Sequence, residues 1–223
     1  MLSDAMRSAI LSRYPRLGRL TRFHLDGRLR RCPYDSIATL LPPNPSLLDI
    51  GCGFGHFAWF LLESGACSGY TGTDIDPYKI TVAQSSLKCS PAQAAPCPLF
   101  LLGTPFSLAL NDRYDAITLI DVLYLLPWDM QQRLLEWCFS HLSKKTGAVI
   151  IAKNPDTTAG ARLYGSYVQE WIMVHVMGRT ASSGTVRGAR SVETYQRLCQ
   201  SSGMDLTHVR LSSTGLLLLF RHC

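Results

Sequence analysis

The sequence predicts an α/β fold built on a parallel sheet with helices on both faces. Three observations lead to it. Between Pro42 and the C-terminus, short continuous apolar runs alternate with helix-like stretches. The first run ends in an acid and three alternate glycines before a helix, Leu47-Leu48-Asp49-Ile50-Gly51-Cys52-Gly53-Phe54-Gly55-His56. The last two runs are separated only by Ser212–Thr214, which predicts an antiparallel hairpin.

In chain order, the expected strands are Ser46–Ile50, Gly69–Thr73, Pro98–Leu102, Tyr114–Ile120 and Ala148–Ala152. Helices are expected between them at His56–Ser64, Tyr78–Leu87 and Met130–Leu142. A last helix, Ser191–Ser202, precedes the hairpin strands Leu206–Leu211 and Gly215–Phe220. Two segments stand outside this rhythm. Residues 1–41 are expected to form a helical basic cap, with Leu2, Met6, Ile10 and Tyr14 on one helical face and a break at Pro15. Residues 156–190 form an insertion after the fifth strand, where Tyr164, Tyr167, Trp171, Ile172 and Val176 have amphipathic spacing. Residues 42–223 make up the main domain. Trp59, Trp128 and Trp137 read as core or interface residues.

Composition narrows the class. At 223 residues and 47% apolar, the chain is long enough to bury roughly 70% of its unfolded surface without staples. No run reaches the ~18–20 apolar residues of a membrane span, and no secretory apolar region opens the chain. The eight cysteines form no CxxC pair and no metal-like spacing, so reduced thiols, no metal and a cytoplasmic location are expected. The net charge of +6 belongs entirely to residues 1–31, which hold eight arginines against Asp4 and Asp26. That arm suits an acidic protein or an anionic membrane surface, with peripheral association. A nucleic-acid reading, with Tyr14 and Phe23 stacking on bases, is disfavoured because the rest of the chain is neutral.

The glycine turn carries the chemistry. A strand-to-helix turn at the carboxyl edge of a parallel sheet is where α/β folds bind ligands. A dinucleotide turn is spaced G-x-G-x-x-G; here the spacing is G-x-G-x-G after Asp49. A carboxylate beside the pocket disfavours a diphosphate and suits a cationic cofactor. The second signal is Gly69-Tyr70-Thr71-Gly72-Thr73-Asp74-Ile75-Asp76-Pro77, with Asp74 at the end of the second strand. An acid there can accept hydrogen bonds from both hydroxyls of a ribose.

At these two motifs, across residues 44–155, the chain resembles class I S-adenosylmethionine (SAM)-dependent methyltransferases. The resemblance implies a Rossmann-like, seven-stranded, mostly parallel sheet with one antiparallel strand. It also implies SAM as cofactor, with Gly51, Cys52, Gly53 and Phe54 around its methionine part, Asp49 near its amino group and Asp74 on the ribose. Ile75 follows Asp74, and Asp121 and Val122 stand at the cofactor's edge after Tyr114–Leu123. One departure is plain: the segment after the third strand reads Phe100-Leu101-Leu102-Gly103-Thr104, without the family's acid or amide, which leaves Thr104 or backbone groups to meet adenine.

A narrower resemblance rests on Arg28–Tyr34, Asp121–Pro127, and Lys153–Thr157 followed by Gln169–Trp171. These segments are similar to small methyltransferases of bacterial aryl polyene and polyketide-like pathways. That likeness implies methylation at oxygen or carbon of a small aromatic or polyketide-like acceptor, carried on an acyl carrier protein. Methyl transfer from a sulfonium needs alignment and dryness above all, and orientation alone supplies about 7–11 kcal/mol. For a phenolic acceptor a base would help. His56, Tyr124 and Lys153 are the catalytic candidates, and Tyr124, Tyr167, Trp171 and His175 the expected acceptor pocket. RNA or protein methylation, and a scaffold that has lost turnover, are the alternatives.

Overall fold

The computed structural model describes residues 2–87, 97–110, 112–155, 190–211 and 215–223. Strands β1 (Ser46–Ile50), β2 (Gly69–Asp74), β3 (Leu99–Leu102), β4 (Ala116–Ile120), β5 (Val149–Pro155), β6 (Met204–Arg210) and β7 (Gly215–His222) lie in the order β3-β2-β1-β4-β5-β7-β6. The helices are α1 (Asp4–Ser12), α2 (Arg19–Arg31), α3 (Tyr34–Ala38), α4 (His56–Glu63), α5 (Pro77–Leu87), α6 (Trp128–His141) and α7 (Val192–Ser202). The chain packs as two units, Met1–Ala109 and Leu110–Cys223.

In the first unit β1 and β3 each pair with β2 in parallel. Helix α4 is buried over His56–Leu61, because His56-Phe57-Ala58-Trp59-Phe60-Leu61 presents apolar bulk nearly all round. Residues 1–41 pack inside this unit. Helix α1 starts at Ser3, whose hydroxyl accepts from the Met6 amide at 3.2 Å, and it stops before Tyr14-Pro15. Helix α2 ends ahead of Pro33, with Arg28, Arg30 and Arg31 in its last turn, where the helix dipole favours cations. Tyr34 of α3 stacks on Phe57 with ring centroids 5.0 Å apart, and reaches Phe60 at 5.7 Å. The cap is therefore three helices where the sequence suggested one clear amphipathic stretch. Helix α2 has no clean apolar period to betray it, since Leu20 and Phe23 point outward.

In the second unit β4 and β5 are parallel, and β7 runs antiparallel to both β5 and β6. The hairpin is as expected, with its connecting residues 212–214 outside the described set. Strand β4 starts at Ala116, two residues later than expected, because Tyr114 makes only an isolated bridge to Leu142. Strand β5 runs on to Pro155 because Asn154 and Pro155 still pair with Leu216 and Gly215 of β7. Helix α6 begins at Trp128, directly after Pro127, with Asp129 in its first turn. Residues 156–189, and with them Tyr164, Tyr167, Glu170, Trp171, Ile172, His175 and Val176, lie outside the described residues.

Trp59 is buried and its indole N–H donates to Ser86 at 2.8 Å, a core role as expected. Among the described residues Cys32, Cys52, Cys67, Cys138 and Cys199 are buried and form no disulfide. No group of three or more metal-ligating side chains occurs among them, and no described helix is long and apolar enough to cross a membrane.

Candidate functional site

The first unit brings its sequence-predicted residues together through the β1–β2 register. Asp49 lies opposite Gly72 and Ile50 opposite Thr73, so the chain leaves β1 beside the last residues of β2. The Thr73 carbonyl accepts from the amides of Gly51 at 2.7 Å and Cys52 at 3.0 Å, folding the bend back over β2. Asp74 then completes it. Its Oδ2 accepts from the Gly53 amide at 2.8 Å and its Oδ1 from the Asp76 amide at 2.9 Å. Each carboxylate oxygen has a second acceptor direction, so both remain able to take a hydroxyl donor.

Two glycines have distinct reasons to be glycine. Gly53 has φ 57°, and a Cβ built there would meet nothing within 4 Å. The bare backbone at Gly53 faces open space, as a cradle for a ligand must. Gly55 has φ 75°, and a Cβ there would stand 2.5 Å from the Phe100 ring and 3.2 Å from Ala83. It is the packing glycine that lets α4 settle against β3 and α5.

Asp49 is 2% exposed, and the Tyr70 hydroxyl donates to its Oδ2 at 2.5 Å. Burial, then the Asp49 charge, pushes the Tyr70 phenol well up, so it stays a donor. Cys52 is buried beside the bend. Burial first, then the charges of Asp49 and Asp74, raises its thiol well above the usual range and keeps it unreactive. Phe54 is buried with its ring edge-on to Tyr78, centroids 6.1 Å apart. At the other rim Ile75 and Leu102 are both about half exposed, and the Gly103 amide donates to the Asp74 carbonyl at 2.9 Å. The Thr104 hydroxyl is engaged in its own turn, donating to Ser107 Oγ at 3.1 Å and accepting from the Ser107 amide.

His56 is buried, not at the surface, at 6% exposure. Its ring meets Tyr34 edge-on at 5.7 Å, and neither ring nitrogen has a hydrogen-bond partner among the described residues. Burial, then the positive charges of Arg28 and His24, lowers its basicity well below that of an ordinary histidine, so the imidazole is neutral at pH 7. Tyr14, which the sequence sets on the apolar face with Leu2, Met6 and Ile10, is buried as well. It is 3% exposed, and its hydroxyl donates to the Phe54 carbonyl at 2.8 Å, because α1 lays it against α4. Phe23 is exposed.

In the second unit Asp121 follows β4 in a left-handed backbone with φ 60°, and its amide donates to the Lys153 carbonyl at 3.1 Å. The Lys153 ammonium donates to Asp121 Oδ1, so this catalytic candidate is held as an ion pair. Val122 precedes a 3₁₀ turn, Leu123–Leu125, in which Tyr124 is buried. Buried Asn154, next along β5, donates to the Tyr195 hydroxyl at 3.3 Å, which donates to Gln131 Oε1 at 2.6 Å. Tyr167, Trp171 and His175 of the expected acceptor pocket fall outside the described residues.

Sequence reasoning missed Tyr14, Tyr70 and the Asn154–Tyr195–Gln131 chain. Their partners are 21 to 64 residues away, where no spacing rule reaches.

Residues 48–148 match the family model described as a methyltransferase domain. The strand order and the glycine bend decide the architecture. This is the class I methyltransferase fold. The methyltransferase family of the matching model uses SAM. A comparison with curated proteins returned no match. Among solved structures with this fold, the magnesium protoporphyrin IX methyltransferase ChlM from Synechocystis PCC 6803, with bound SAH, is 16% identical with a TM-score of 0.64. The alignment covers 97% of this chain and 93% of ChlM. The pyocyanin biosynthetic protein PhzM is 19% identical with a TM-score of 0.66, and 97% of this chain spans 61% of PhzM. The O-methyltransferase NcsB1 from neocarzinostatin biosynthesis, in complex with SAM and 2-hydroxy-5-methyl naphthoic acid, is 16% identical with a TM-score of 0.64; 92% of this chain spans 57% of NcsB1.

Proposed function

We propose that this chain is a SAM-dependent methyltransferase acting on oxygen or carbon of a small aromatic or polyketide-like acceptor. The observation that carries the cofactor half is the hydrogen bond from the Gly53 amide to Asp74 Oδ2, made beside the open space at Gly53. It builds a bare backbone bend and an acid with spare acceptor capacity into one rigid piece. Such a piece fits an adenosyl ligand: the bend admits close approach, and Asp74 accepts ribose hydroxyls. Ile75 and Leu102 offer apolar walls to the purine, in place of the side-chain contact missing at Thr104. Buried Asp49, held by Tyr70, puts negative charge beside Gly51 where an ammonium group gains from it.

When bound, SAM supplies the methyl group for an in-line displacement. The chain's share is alignment, exclusion of water and removal of the acceptor's proton. His56 is the first unit's candidate from the sequence, but its sealed ring nitrogens and depressed basicity make it a poor acceptor for a phenolic proton. Tyr124 and the Lys153–Asp121 pair are the corresponding candidates of the second unit. The small aromatic acceptor is supported by the naphthoic acid held by NcsB1. Delivery of the acceptor falls to residues 1–31, whose charge suits an acyl carrier protein or an anionic membrane surface.

The test is calorimetric titration with SAM, followed by radiolabel transfer to a panel of free and carrier-bound aryl acids. Binding with transfer to an aryl acid is the expected outcome. Absence of SAM binding by the wild type overturns the reading.

A further inference from the structure

Helix α2 has an inner face and an outer face with unlike chemistry. Thr21, Leu25 and Leu29 are buried against the fold. Helical spacing puts Leu20, Phe23 and Gly27 together on the opposite side. Leu20 is 65% exposed and Phe23 is 79% exposed, the largest exposure among the large apolar side chains described. Isolated exposed apolar residues are ordinary on any protein. These two are neighbours one turn apart, and arginines surround them.

Arg19, Arg22 and Arg30 border the pair on one side and Arg31 on the other, all exposed, with Arg16 just ahead of the helix. The Arg31 guanidinium folds back over Gly27, 2.9 Å from where a Cβ would stand. Asp26 is the helix's only acid, and it is matched by Arg7 and Arg30, each at 3.0 Å. Among the described residues Arg16, Arg19 and Arg31 have no carboxylate partner, so the face stays strongly positive. Between α1 and α2 runs a groove of about 450 Å³ lined by Arg7, Arg19, Arg22, Arg30, Phe23 and Asp26.

We propose that the outer face of α2 docks on an anionic lipid surface, with Leu20 and Phe23 entering the acyl boundary and the surrounding arginines at headgroup phosphates. A helix lying in the interface needs an apolar wedge and a cationic collar at one depth, and α2 presents both. A polyanion without apolar side chains, such as RNA or polyglutamate, would use the arginines but leaves Leu20 without a role. The inference is independent of the cofactor reading, since it uses no residue of the glycine bend, and it commits the partner of residues 1–31 to lipid.

The experiment is co-sedimentation of the full chain with phosphatidylcholine vesicles, with and without phosphatidylglycerol. Single-stranded RNA and polyglutamate serve as competing partners. Binding is expected to be about tenfold tighter on the anionic vesicles and to weaken with salt. The double substitution Leu20→Ser with Phe23→Ser is expected to lower it about tenfold, with thermal midpoint and SAM affinity unchanged. Arg16→Gln with Arg19→Gln gives a second, surface-only variant, expected to reduce binding to anionic vesicles and leave neutral ones alone. Equal binding to both vesicle types overturns the proposal. So does full binding by the double serine variant, or tighter binding to RNA or polyglutamate that survives it, which would assign the face to a polyanion.

Discussion

The Tyr14 hydroxyl donates to the Phe54 carbonyl across 2.8 Å, tying the segment between α1 and α2 to the middle of the glycine bend. The bond is buried. Its neighbour Arg13 lies over the Trp59 ring at 4.0 Å and pairs with Glu63, so residues 13 and 14 clasp α4 from one side. Tyr14→Phe keeps the ring and removes the donor, leaving a buried carbonyl unmet. A loss of about 1–3 kcal/mol in stability is expected. SAM affinity should fall about fivefold if the bond holds the bend in its binding shape. Thermal melts and calorimetry separate the two effects; unchanged affinity would show that the bend holds its shape without Tyr14.

The two glycines of the bend predict opposite phenotypes. Gly53→Ala puts a methyl group into open space at φ 57°, costing about 1–2 kcal/mol of backbone strain while obstructing the cradle. Gly55→Ala adds a collision with the Phe100 ring to the same strain, so about 1–3 kcal/mol more is expected. Gly53→Ala should fold and lose SAM; Gly55→Ala should melt early. Similar melting temperatures for the two would contradict the division of labour.

Asp74→Ala removes both the anchor of the Gly53 amide and the proposed ribose acceptor. SAM binding should weaken by on the order of 1–3 kcal/mol, about fivefold or more. Asp74→Asn keeps one carbonyl acceptor and should fall between the two. Titration of all three proteins at one salt concentration decides it.

His56 sets a pH dependence of stability. Its basicity in the folded protein lies well below the free value of 6.5, through burial first and then Arg28 and His24. The unfolded chain therefore binds a proton that the folded chain does not. The neutral ring's contribution is complete above pH 6.5 and is lost as pH falls toward the depressed folded value. The slope contributed by His56 approaches about 1.4 kcal/mol per pH unit within that window. Denaturant unfolding of wild type and His56→Gln at stepped pH should show that component only in the wild type. Parallel pH profiles would mean the ring is not held neutral.

Local pattern made much of this protein legible from its sequence. The alternation of apolar runs and helical stretches placed every strand within a few residues, because burial on both faces demands continuous apolar strands. The bend and Asp74 were equally plain, since a positive φ or a close ligand approach calls for glycine wherever it occurs. Burial at the site was less legible. His56, first in α4, is a buried ring without a hydrogen-bond partner among the described residues, with Tyr34 of α3 edge-on to it and Arg28 and His24 of α2 close enough to act on it. Tyr14 and Phe23 are both aromatics of a basic arm; the apolar face of the first helix marks Tyr14 for burial, but does not tell that it is sealed against the bend while Phe23 stands in solvent. Such differences depend on which elements meet across tens of residues. Chain spacing records the period of a single helix or strand, and only packing decides which face is covered and which hydrogen bonds close.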